Sequence, residues 1–179
     1  SENKVADNHM LDNFLKDSSV KMLTNPKQLK QTQGLTNPYG IIRQLKANPE
    51  VAFVTPQVTA NVIYTTGSVL VNGNISGVSI TEEDQMFDVQ ANMLSGNLHD
   101  LDRVNNGLLI GKGIADKLSL HVGDNITVRG GSGNTMIMRV VGIYASGVKQ
   151  IDDTRSYANI IQAQNILGKD RSYVTDIKI

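Results

Sequence analysis

The 179-residue chain has no cysteine and no tryptophan. Without thiols there can be no disulfide, no thiolate nucleophile and no Cys-ligated metal, while the lack of cysteine fits any compartment. Aromatic residues make up 4 % of the sequence, so the ring platforms on which bases or sugars stack have little to be built from. Charge is balanced, with 17 basic against 17 acidic residues, and Lys and Arg form no clustered stripe. That argues against nucleic acid or an anionic membrane surface as the main partner. No apolar run approaches the ~20 residues of a membrane helix. The longest uncharged stretch, between Glu50 and Glu82, is broken by Thr, Asn, Gln and Gly. Within it Val58, Ala60, Val62 and Tyr64 alternate with other positions, which is strand periodicity.

What the chain has instead is asparagine, 17 residues against 13 Asp and four Glu, as suits many turns and hairpins. A helix is expected over residues 5–15 and a strand over "SSVKML". "LTNP" occurs at 23–26 and at 35–38, each copy reading as a helix start with Asn before the helix and Pro at its first position. The second copy opens a helix over Tyr39–Asn48 with Ile41, Ile42 and Leu45 on one face, closed by Pro49. Strand, helix and strand in this order imply a βαβ-type unit with the helix on one sheet face. Residues 82–106 are more acidic and less regular. "NGLLIG" reads as a short buried strand, and Ile114, Ala115 and Leu118 as one face of a two-turn helix. "HVGDNITV" turns at Gly123 into a strand, "RGGSGNT" is a hairpin tip and "MIMRVVGIY" the returning strand. "SYANIIQAQNILG" reads as one helix ended by Gly168. In "SYVTDIKI", Tyr173, Thr175, Ile177 and Ile179 are expected on one face. A helical start and an end inside a strand pattern are expected of a segment cut from a longer chain.

Candidate sites are few. Gly111-Lys112-Gly113 follows a strand, as nucleotide loops do. A dinucleotide fingerprint needs a small residue three positions after the second Gly, where this chain has Asp116, and no Gly-Lys-Ser/Thr completes a phosphate loop. Asp116 would also repel phosphate. The loop is expected only to turn the chain. His9 with Asp12, and His99 with Asp102, stand one helical turn apart, but a zinc site needs three or four ligands, and these residues and His121 read as solvated surface. Asp152 and Asp153 in "IDDT" are adjacent and read as a capping or turn element at the entry to the last helix rather than an acid–base pair. "GGSGN" at 130–134 carries mobility and no chemistry, so a plain hairpin connection is expected, with a partner-docking tip as the alternative. No catalytic, cofactor-binding or metal residue is assigned, and no enzyme activity is expected.

"GLLIGKGIADKLSLHVGDNITV", followed by "MRVVGIYASGVKQIDDTRSYANIIQAQNILG" and "VTDIKI", resembles the extracytoplasmic domain of ABC-transporter permeases. That group comprises the lipoprotein-releasing permeases LolC and LolE, the macrolide exporter MacB and FtsX-like permeases. The resemblance covers 96–179 well, with "ISGVSI", "MLSGNL" and "NPEVAFVTPQV" fitting more loosely upstream. It implies an α+β fold in which both chain ends, 1–90 and 145–179, build a porter-like α/β subdomain. A β-rich sabre-like subdomain, 91–144, is inserted between them. It also implies a periplasmic position between two membrane helices of an integral membrane protein, and a dimeric transporter. Cytoplasmic ATP hydrolysis by a separate subunit or domain would be coupled mechanically to export or release of a lipoprotein or other substrate. Possible contacts are a periplasmic adaptor, a chaperone or the lipoprotein itself. "IDDTRSYANIIQAQNIL" and "KLSLHVGDNITV" point to the lipoprotein-releasing branch. The competing readings are a soluble nucleotide-binding domain, from Gly-Lys-Gly, and a stand-alone extracytoplasmic binding module.

Overall fold

The computed structural model describes residues 34–179, and these divide into two compact units. The smaller holds residues 34–57 and 172–179, and the larger holds Val58–Arg171. These boundaries are not those of the porter-like and sabre-like division that the resemblance implies, at 90/91 and 144/145. The expected helix over 5–15, the strand "SSVKML" and the first "LTNP" lie outside the described residues.

In the smaller unit, helix α1 (Pro38–Lys46) starts at the second "LTNP" as the sequence predicts. Pro38 sits in its first turn, and Asn37 precedes it in the left-handed conformation, without a side-chain cap. Ile41, Ile42 and Leu45 form its buried stripe, and they pack with Val54 and Ile177. Strand β1 (Thr55–Thr66) begins here, pairing through Thr55, Pro56 and Gln57.

The larger unit carries β1 onward into β2 (Val69–Val78) and helix α2 (Ile80–Phe87). A 3-10 turn at Val89–Asn92 leads to β3 (Met93–Gly96), the short helix α3 (Asp100–Arg103) and β4 (Gly107–Gly111). Helix α4 (Lys112–Leu118), β5 (Asn125–Gly130) and β6 (Thr135–Tyr144) follow. Then come α5 (Lys149–Thr154), β7 (Arg155–Asn159) and α6 (Ile160–Ile166). The last strand, β8 (Asp176–Lys178), belongs to the smaller unit and is the antiparallel partner of the start of β1.

Six strands of the larger unit close into a ring. β1 pairs with β2, β2 with β7, β7 with β4, β4 with β6, β6 with β5, and β5 returns to β1. Closure satisfies the edges that an open sheet would leave unpaired. The expected alternation holds, since Val58, Ala60, Val62 and Tyr64 are all buried. Tyr64 reaches past β2, donating its hydroxyl hydrogen bond to the Asn74 carbonyl at 2.8 Å and lying 2.5 Å from Ser156 Oγ. Full burial raises the Tyr64 pKa, with the Ser156 hydrogen bond opposing.

A second layer covers part of the ring. Val89, Leu98 and Leu101, from the acidic 82–106 stretch, pack with Val78, Leu109, Val141, Tyr144 and Tyr157. Tyr144 and Tyr157 meet with ring centroids 5.3 Å apart in a tilted arrangement.

Two expectations need correction. "SYANIIQAQNILG" is not one helix, because its first residues form β7, parallel to β2 and antiparallel to β4. Asn159 ends that strand and caps α6 by accepting a hydrogen bond from the Ile161 N–H. Nor does one strand run through "SYVTDIKI": only Asp176–Lys178 form β8, so of the alternate residues only Ile177 lies in a strand.

Candidate functional site

The Gly-Lys-Gly loop joins β4 to α4, and its open side is already occupied. A side chain at Gly111 would run into the Asp152 backbone, and one at Gly113 into Asp153. The glycines are there so that α5 can lie directly on the loop. The loop turns the chain from β4 into α4.

The residues around it serve that packing. Lys112 Nζ lies 2.7 Å from Asp116 Oδ2 on the helix surface. The hydrogen bond to Asp116 is the main reason that the Lys112 pKa rises. Asp152 Oδ1 accepts from the backbone N–H and the hydroxyl of Ser146, both at 2.7 Å. It thereby fixes the turn at Gly147, where φ is +85°. Asp153 takes Lys149 as an ion-pair partner and lies 3.8 Å from Lys117. The hydrogen bond from Lys149 is the first cause of its lowered pKa. "IDDT" therefore fastens a turn and a helix–helix contact. Its place is α5, before β7, rather than the entry to the last helix.

His99 and His121 sit on different segments. His99 is exposed at the start of α3, and Asp102 accepts from Asn159 Nδ2 at 3.0 Å. His121 is exposed, 3.7 Å from Asp124, whose carboxylate accepts from the His121 N–H at 2.8 Å. His9 and Asp12 lie outside the described residues. Among the described residues no three His, Asp or Glu gather as metal ligands would.

The "GGSGN" tip connects β5 to β6 as expected. Beside it opens a groove of about 810 Å³, lined by Asn61, Ile63, Asn72, Arg129 and residues 130–133. Sequence periodicity gave no sign of the groove, because its walls come from strands some 60 residues apart.

A family model described as the MacB-like periplasmic core domain matches residues 7–178. The chain belongs to that family. Its fold agrees. The extracellular domain of the noncanonic ABC-type transporter YknZ from Gram-positive bacteria superposes with a TM-score of 0.59 at 13 % identity, covering 88 % of this chain and 79 % of that one. The periplasmic region of MacB from Actinobacillus actinomycetemcomitans gives 0.57 at 15 % identity, covering 88 % and 70 %. No curated protein sequence matches significantly. The chain is thus an extracytoplasmic domain of a MacB-like ABC transporter permease, with the mixed helix-and-sheet fold expected, and the family is one of transporter domains rather than of enzymes. Among the described residues no helix is long and apolar enough to cross a membrane.

Proposed function

We propose that this domain transmits force, coupling ATP hydrolysis on the cytoplasmic side of a dimeric transporter to export or release of a lipoprotein or another substrate. The supporting observation is how the chain enters and leaves the larger unit. The start of β1 and the whole of β8 run antiparallel, Thr55 opposite Lys178 and Gln57 opposite Asp176. The incoming and outgoing segments are thus fastened to each other. A pull on the pair is passed along the chain into a closed ring, which yields less to it than an open sheet. The porter-like role falls to the segments nearer the chain ends, and the sabre-like role to the inserted β-rich part. An adaptor or chaperone would be met on the periplasmic side.

The test is made in the full transporter. A flexible Gly-Ser insertion between Asp170 and Arg171 slackens the return path without touching the ring. Substrate export should fall to background while ATP hydrolysis continues. Export at the unmodified rate would overturn the reading.

A further inference from the structure

Like every helix, α6 ends in carbonyl groups that its own turns cannot satisfy. Two of them are met from another part of the chain, the "GGSGN" tip. Ser132 donates its hydroxyl to the Ile166 carbonyl at 3.4 Å, and Asn134 Nδ2 donates to the Asn165 carbonyl at 3.5 Å. The approach is close. A side chain at Gly130 would run into the Ile166 carbonyl, and one at Gly168 into the Asn134 amide. Only Gly131 and Gly133, farther out on the tip, have open space around them. The tip is therefore seated on the end of α6.

The same helix end holds the segment by which the chain leaves the larger unit. Arg171 is the last residue of that unit. Its carbonyl accepts from the buried Gln164 through Nε2 at 3.1 Å, and its guanidinium donates through Nη1 to Asn165 Oδ1 at 3.0 Å. Asn165 thus meets the tip with its carbonyl and the return segment with its side chain. The tip in turn supplies residues 130–133 to the lining of the groove, beside Asn61, Ile63 and Asn72. Return segment, helix end and groove wall form one continuous series of contacts within the larger unit.

We infer that the tip is a movable wall of the groove, and that the return segment at Arg171 sets its position. With Arg171 seated, the end of α6 is held and the tip rests on its carbonyls. When Arg171 is drawn away, Asn165 loses its side-chain anchor, the bonds from Ser132 and Asn134 break, and the groove widens. Those two bonds are long, so they yield first. Glycine at 131 and 133 leaves the tip free to re-aim, as a hinge of few residues does. That the displacement comes from a pull on the chain ends rests on the proposed function. The coupling itself belongs to the domain, so its failure and a failure of export coupling are read in separate experiments.

Because the chain has no cysteine, nitroxide labels on Asn72→Cys and Gly131→Cys have no competing site. Both positions line the groove. Pulsed EPR on the full 179-residue chain should give one narrow distance, and Arg171→Ala should broaden it towards longer separations. In an unlabelled Arg171→Ala chain, amide exchange at Gly130 and Gly133, whose N–H groups are bonded within the tip, should rise about tenfold. Arg171→Lys keeps a donor and should restore most of the protection. Asn165→Ala should give the same rise, and combining it with Arg171→Ala should add little, since both act through one residue. Leu98→Ala, which weakens the second layer away from α6, should leave the tip as it was. Unchanged distance and exchange in Arg171→Ala overturn the inference. So does an equal rise in Leu98→Ala, which marks general loosening.

Discussion

Two glycine-bearing loops of the larger unit look alike on paper and differ in space. Gly111-Lys112-Gly113 is packed from outside by the backbone of α5, so each missing side chain is room used by a neighbour. At Gly131 and Gly133 a side chain would meet nothing within 4 Å. Glycine in the first loop allows close approach, and in the second it allows a turn, as the φ of +91° at Gly133 requires. The lesson is that a glycine pattern resembling a ligand cradle can instead be the seat of a helix.

The sharpest way to break the comparison is to make one substitution in both loops. Gly111→Ala drives a methyl group into backbone that cannot rotate away, and should cost about 2–3 kcal/mol in urea unfolding. Next comes the turn that steers α5 onto the loop. Asp152→Ala leaves the Ser146 N–H and hydroxyl without their acceptor and should cost about 1–2 kcal/mol by the same measurement. The smallest effect is expected at the open tip. Gly131→Ala should change stability by less than about 0.5 kcal/mol. Equal losses at Gly111 and Gly131 would erase the distinction between the loops.

Local features were legible in the sequence. Asn-Pro marked the start of α1, alternation marked the buried face of β1, and Ile114, Ala115 and Leu118 marked the buried face of α4, all as found. The family was legible too, in the order of weak elements from Gly107 onward. Two things were not. β7 is five residues long and runs straight into α6, so its Tyr157 and Ala158 merge with the apolar pattern of the helix. The sign that separates them is Asn159, a capping residue in the middle of the stretch. Ring closure was the other. It joins Asn74 to Arg155 and Val62 to Gly130, and a periodicity that spans a dozen residues carries no trace of such partners. The groove went unseen for the same reason, since it is assembled from strands distant along the chain.

The closed ring also has a consequence for how the chain comes into being. β2 finds its second neighbour only when residues 155–159 exist, some 80 positions downstream. During synthesis, β2 and β4 must wait with hydrogen-bonding edges open while α4, β5 and β6 are made. Pairing over such distances folds slowly, and waiting edges invite other strands. A nascent polypeptide halted just short of Arg155 would be a sticky intermediate, and a few more residues would turn it into a sealed one.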